Sequence, residues 1–338
     1  LLGDINVTII KNTVYDDPGA TAADNIDGIV NVTTSGTVDV QTLGEYTITY
    51  SATDSAGNTA TIERMIMVVF DPSRQPVANI DFPDASLQLC VEDNDNNYFY
   101  ADEFLSLNCS YYGIDNLKGL SYFTNLTHLN IFGNLQSDLT LVSNLTKLTF
   151  LNAGYNQLID ISFLSDLINL QTLYLSNNSI TNIAALNDLT QLVDLDLNEN
   201  NGIEDISGIA NMTLLEKLQL NRNRIRDVTA LVELKQLKHL TLYTNNIIDI
   251  SGLTGLTNLV VLNLASNNIT DVSPLAGLNE IVELKLLNND IDTGVDSLNA
   301  FSNLEVMYLN GNDNIPCPHL DILYEEYGGE VVSMPEKC

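Results

Sequence analysis

Leu170-Gln-Thr-Leu173-Tyr-Leu175-Ser-Asn-Asn178-Ser-Ile180-Thr-Asn-Ile183-Ala-Ala-Leu186-Asn-Asp-Leu189 carries the pattern that decides the fold. The Leu173-x-Leu175 core alternates with period two, which reads as a short strand with one buried face. Asn178 follows at once, with a carboxamide able to satisfy backbone groups where the chain turns off the strand. Ile180, Ile183, Leu186 and Leu189 then return apolar side chains to the same interior, so that one unit closes one coil. The unit recurs from Phe104, Leu126, Leu148, Leu170, Leu192, Leu215, Leu237, Leu259, Ile281 and Leu304, at a spacing of 22 with two steps of 23. The Asn recurs at positions 156, 178, 200, 223, 245, 267, 289 and 312, which predicts an asparagine ladder. Each coil buries its apolar face only against its neighbours, so many must stack.

Working outward, a stacked array exposes its core at both ends unless it is capped. Four cysteines bracket the array as Cys90 with Cys109 and Cys317 with Cys338. Three pairings are possible. The local one closes two loops of about 20 residues, each stabilising by roughly 3 kcal/mol. Cys109 occupies a place where later units put the second strand leucine, so it should point inward toward the segment Phe82 to Tyr100, which contains Cys90. Disulfides would imply an oxidising compartment. Metal binding or thiol chemistry would want Cys-x-x-Cys or a basic cluster, and neither is present.

The repeat resembles the leucine-rich-repeat family, in particular the 22-residue class of the internalins of pathogenic bacteria, over roughly residues 104–312. The resemblance implies a right-handed α/β solenoid with a parallel sheet on its concave side and short helical turns on its convex side. Ten strands at about 4.8 Å give a sheet roughly 45 Å long, the scale of a macromolecular ligand.

Residues 1–71 follow another grammar. Val7–Ile10, Ile29–Thr33, Tyr46–Tyr50 and Thr59–Phe70 are β-branched or aromatic runs, separated by Pro18-Gly19, Asp27-Gly28, Ser35-Gly36, Leu43-Gly44 and Gly57-Asn58. They predict an antiparallel β-sandwich. Tyr15-Asp-Asp-Pro-Gly-Ala-Thr, Gly44-Glu-Tyr-Thr-Ile-Thr-Tyr50 and Thr53-Asp-Ser-Ala-Gly-Asn58 resemble the bacterial Ig-like repeats of surface adhesins and some pesticidal crystal proteins, which implies a spacer or presenting module. In internalins the Ig-like piece usually follows the repeats; here it precedes them. The expected organisation is therefore an all-β Ig-like sandwich over 1–71, a proline-containing linker of limited swing over 72–80, an N-terminal cap over 81–103, about ten repeats over 104–312 and a C-terminal cap over 313–338.

Composition narrows the functional classes. With 44 acidic and 13 basic residues the formal net charge is −31, which disfavours nucleic acid and anionic membranes as partners. No run of 18 apolar residues suggests a membrane span, and Leu1 to Lys11 lack the features of an export signal. His128, His239 and His319 sit in separate units or in the cap and form no local nucleophile or metal pair, so the chain reads as non-enzymatic.

Alternation places a candidate ligand face on the strands: Phe132, Phe150, Tyr155, Tyr174, Asp194, Asp196, Lys217, Arg222, His239, Tyr243, Lys285 and Tyr308. Exposed aromatics beside charges are typical of binding hot spots. Lys217, Arg222 and Lys285 in so acidic a chain suggest recognition of carboxylates or sulfates. Asp16, Asp24, Asp27 and Asp54 offer oxygen ligands for calcium if they converge, although Asp is equally a turn former. Asp93-Asn-Asp-Asn-Asn97 begins like an EF-hand loop but lacks the following Gly and the closing Glu, and reads as a polar cap loop. The expectation is a monomeric, secreted or surface-displayed bacterial module that binds a protein or glycan on another surface without inserting into membrane. The alternative is a structural spacer that associates with copies of itself.

Overall fold

The computed structural model describes residues 1–333 and Pro335 of the 338. It divides into two compact units, Leu1–Gln75 and Pro76–Cys338. The first is all-β: β1 (Asn6–Ile10), β2 (Ala22–Asp24), β3 (Gly28–Val30), β4 (Val32–Ser35), β5 (Gly44–Thr53) and β6 (Thr59–Val69). One sheet runs β1-β6-β5-β4, and β2 and β3 pair separately. On β6 the buried Arg64, Ile66 and Val68 alternate with the exposed Met65 and Met67, the period-two signature of a half-buried strand. Ile48, Tyr50 and Ile66 form the small core, with Val7, Ile9 and Val32 packed against it.

Two details of the sandwich differ from the sequence reading. β1 is parallel to β6, so the four-stranded sheet is mixed. The run Ile29–Thr33 is not one strand: it splits at Asn31, β3 pairing with β2 and β4 with β5. Ile29 is 91% exposed and contributes nothing to the core, which removes the reason for a single continuous strand. An arginine occupies the centre instead. Arg64 is fully buried and paired with Asp17; it also donates to Tyr50 Oη at 2.8 Å and to the Asp4 carbonyl at 2.9 Å. Burial, then the hydrogen bond to Asp17, pushes the Tyr50 hydroxyl up to about 12.

The second unit is the solenoid. Its parallel strands are β7 (Ser106–Asn108), β8 (His128–Asn130), β9 (Phe150–Asn152), β10 (Thr172–Tyr174), β11 (Asp194–Asp196), β12 (Lys217–Gln219), β13 (His239–Thr241), β14 (Val261–Asn263), β15 (Glu283–Lys285), β16 (Val306–Tyr308) and β17 (Val332–Ser333), stacked in chain order. The central leucines stand in one file, Leu151 beside Leu173 beside Leu195 beside Leu218. All four are fully buried, each worth about 2 kcal/mol of transfer free energy. The return segments are short 3-10 turns such as Ala184–Leu186 and Thr229–Leu231. Several are entered through an Asp whose carboxylate accepts the amide two residues on, as Asp227 does from Thr229 at 2.8 Å.

The ladder forms as the spacing predicts. Asn178 Nδ2 donates to the carbonyls of Leu175 and Ala153, each at 3.0 Å, and its Oδ1 accepts the Leu158 amide at 2.9 Å. Asn134 does the same one unit ahead of the eight predicted positions, through Cys109 and Ile131.

Both ends are closed. Helix α1 (Ala85–Asp93) is capped by Asp84, whose two oxygens accept Ser86 and Leu87 amides on one side and Asp115 and Asn116 amides on the other. Cys90 on α1 is disulfide-bonded to Cys109, with Cα atoms 5.4 Å apart. Asn94 finishes the edge of the sheet: its carboxamide accepts the Asn108 amide at 3.0 Å and donates to the Asn108 carbonyl at 3.2 Å, as a neighbouring strand would. Residues 76–80, expected to belong to the linker, are part of this cap. Pro76 bridges to Tyr100, and Ile80 is buried in the solenoid core. At the far end α2 (Cys317–Tyr327) buries Leu320 and Leu323, and β17 pairs with β16. Of the second predicted cysteine pair, Cys338 lies outside the described residues.

Candidate binding face

On β7 to β15 the central leucine points inward, as Met307 does on β16, and the residues before and after it project from the outer, concave face of the sheet. The register aligns them in two rows. The first runs His128, Phe150, Thr172, Asp194, Lys217, His239, Val261, Glu283, Val306; the second runs Asn130, Asn152, Tyr174, Asp196, Gln219, Thr241, Asn263, Lys285, Tyr308. Eight of the twelve predicted residues stand in these rows. Phe132, Tyr155, Arg222 and Tyr243 do not: they lie beyond the second strand leucine, on the loop that turns off the sheet, and Tyr155 and Arg222 are left-handed at φ 52° and 54°.

Ring contacts sort the aromatics further. His128 stacks on Phe150, with centroids 5.9 Å apart, and Phe150 meets Tyr174 edge-to-face at 5.8 Å. A second file, Tyr111, Phe132 and Tyr155, runs along the adjoining loops with spacings of 5.2 and 5.0 Å. Tyr243 and Tyr308 belong to neither file; each is covered by a cation of its own, Arg222 and Lys285. Sequence reasoning missed Tyr111 and His128. The register signals both, since they share their positions with Tyr155 and Phe150.

The three basic residues each have an acidic neighbour of this chain. Lys217 Nζ lies 3.4 Å from Asp194 Oδ2, Arg222 Nε lies 3.8 Å from Glu199, and Lys285 is paired with Glu283. An anionic ligand at any of them would compete with a carboxylate of this chain. Tyr174 donates to Asp194 Oδ2 at 2.8 Å; burial and that hydrogen bond push its hydroxyl up to about 12. Asp194 Oδ1 is buried and has no hydrogen-bond partner. Asp196 accepts the Asn198 amide at 2.9 Å, yet burial raises its carboxyl above the ordinary range. The Tyr243 hydroxyl, accepting from Arg222 at 3.1 Å, raises that guanidinium further. His239 is exposed on β13.

In the first unit the four aspartates do not make a calcium site. Asp24 accepts the Ile26 and Asp27 amides, Asp27 accepts the Ser55 amide and hydroxyl, and Asp54 accepts the Asn58 amide and carboxamide. The Asp24 and Asp54 oxygens close local turns, and Asp27 ties its loop to the one at Ser55. Among the described residues no three His, Cys, Asp or Glu side chains, Asp16 included, are grouped to hold a metal ion. No helix among them is long and apolar enough to cross a membrane.

Comparison with known proteins agrees with this architecture. Residues 1–68 match the model of the bacterial surface protein Ig-like domain, and residues 146–183, 168–211 and 213–255 match that of leucine-rich repeats. No curated protein matches significantly in sequence. Among solved structures, an internalin (InlF) of Listeria monocytogenes is 27% identical with a TM-score of 0.60, covering 78% of this chain and 92% of its own. Internalin C2 (InlC2) of the same organism is 29% identical with a TM-score of 0.53, covering 70% and 97%. The leucine-rich-repeat ectodomain of a plant receptor kinase from Arabidopsis thaliana shares the fold at 24% identity and a TM-score of 0.59, over 71% of this chain and 30% of that one.

Proposed function

We propose, for a chain that joins a bacterial surface Ig-like domain to internalin-like leucine-rich repeats, that it is a non-enzymatic, surface-displayed or secreted binding module. Its concave repeat face takes a protein ligand, and the Ig-like domain serves as a spacer. The observation that carries this reading is the unbroken contact of rings from His128 through Phe150 to Tyr174 on an open sheet face. Solvent-facing aromatics are costly to display, and they concentrate where a partner will cover them. Lys217 and Lys285 on the same face already have carboxylates of this chain beside them, so the reading rests on the rings.

The test is binding of the labelled chain to intact cells whose surface has been treated with protease or with glycosidases, beside a variant carrying Phe150→Ala, Tyr174→Ala and Tyr243→Ala. Saturable binding lost in the variant and after protease supports a protein receptor at this face. Loss after glycosidase instead assigns a glycan. Binding unchanged by the substitutions places the site elsewhere, and concentration-dependent self-association in ultracentrifugation supports a spacer.

A further inference from the structure

The charges of the concave face do not cancel everywhere. Glu199 has Arg222 and Glu283 has Lys285. β11 brings two carboxylates, Asp194 and Asp196, to the same side of the sheet, and the register flanks them with Thr172 and Tyr174 on one side and Lys217 and Gln219 on the other. One ammonium therefore serves two carboxylates. Lys217 and the Tyr174 hydroxyl both approach Asp194 Oδ2, which leaves Oδ1 buried without a partner. This uncompensated charge adjoins the end of the ring file, with Tyr174 touching both.

We propose that this junction receives a basic side chain of the protein partner, an arginine or lysine flanked by apolar residues. The cation seats on Asp194 and Asp196, and the apolar neighbours lie on Phe150 and Tyr174. The inference rests on the reading of the concave face as the binding face and adds the chemistry of what it takes. A guanidinium supplies several donors in one plane, enough for the accessible parts of both carboxylates, while its flat surface packs on a ring. Lys217 already demonstrates the geometry, with its ammonium 6.0 Å from the Tyr174 ring centroid. The net charge of −31 draws cationic partners and repels anionic ones at long range.

The experiment is an NMR titration of the full chain with three probes of one shape: benzamidinium, benzamide and benzoate. Benzamidinium is expected to shift the resonances of Phe150, Tyr174, Asp194 and Asp196 with a Kd about tenfold below that of benzamide, benzoate being weakest. Asp194→Asn combined with Asp196→Asn should bring benzamidinium to the level of benzamide. Lys217→Met, which removes the resident ammonium and leaves both carboxylates in place, should tighten benzamidinium by several-fold and keeps the test decisive if the double variant folds poorly. Equal affinities of benzamide and benzamidinium at these residues overturn the proposal and leave the ring face standing. So does the absence of any shift there, in which case the cell-binding comparison judges the face independently. Weaker benzamidinium binding in Lys217→Met also overturns it.

Discussion

Asn178 reaches back across one coil to the carbonyl of Ala153, at the same 3.0 Å that separates it from the Leu175 carbonyl of its own coil. One carboxamide thus both closes a turn and fastens two repeats together, and its oxygen accepts the Leu158 amide besides.

Asn178→Ala should therefore strand the Leu158 amide, while the Ala153 and Leu175 carbonyls each lose one donor and keep another, from Asn156 and Asn200. At about 1–3 kcal/mol for one unsatisfied buried group, the expected loss is about 1–3 kcal/mol. Urea unfolding measures the total, and hydrogen exchange at the Leu158 amide locates it. The neighbouring Asn177 has φ 56°, a conformation that glycine adopts freely. Asn177→Gly should leave both measurements nearly unchanged.

The N-terminal disulfide ties α1 to the first coil across a sequence separation of 19. Cys109→Ser should cost about 3 kcal/mol by the loop-entropy relation. Because stability in a solenoid is passed between nearest neighbours, exchange should accelerate first in residues 85–135 and least beyond β14. Uniform acceleration along the whole array would show that the repeats unfold as a single block.

Asp17 is the acid that the buried Arg64 neutralises. Arg64→Met should destabilise the first unit by about 3–5 kcal/mol, the usual cost of stranding one member of a buried pair. The Asp17 carboxyl is raised by burial, but the Tyr50 hydroxyl, the Gly19 amide and Arg64 outweigh this and hold it below the ordinary value. A depressed native pKa means that the stabilisation is complete above the unfolded value, near pH 4, and is lost as pH falls through the native one. Thermal unfolding of the first unit between pH 6 and pH 2 should show that acid limb, and Asp17→Asn should flatten it.

Gly252 lies in a 3-10 turn where an added Cβ would run into the Val228 carbonyl of the preceding coil. Gly252→Ala should cost about 1–3 kcal/mol through forced backbone shifts. Gly277 has open space around its Cβ position and only its φ of 91° against substitution. Gly277→Ala should cost less, on the order of 1 kcal/mol, and calorimetry on the two variants gives the order.

The sequence is most legible where contacts repeat. Period two within the strand and period 22 between coils announce the leucine file, the asparagine ladder and the inward-facing Cys109, because each residue meets its own counterpart in the next unit. Asn134 escaped because Ile131-Phe-Gly-Asn134 departs from the consensus of its neighbours, although its register position is the same. The first unit was less legible. Its strand runs were visible, but neither the break at Asn31 nor the parallel pairing of β1 with β6 has a local signal.

By itself, then, the amino-acid order determined that this protein is a β-domain followed by a capped stack of coils, and which side chains leave the core on the strand face. Those features follow from periodicity, a property of neighbours along the chain. Only the tertiary structure decided how the face is divided: rings in two files, Arg222 and Lys285 engaged by Glu199 and Glu283, and Asp194 with Asp196 sharing the single ammonium of Lys217. It also decided that a charged arginine sits at the heart of the first unit. Electrostatic partners are chosen through space at a few ångströms, between residues separated by 2 positions on a strand, as for Lys285 and Glu283, or by 47 across the sandwich, as for Arg64 and Asp17. No period in the sequence records that choice.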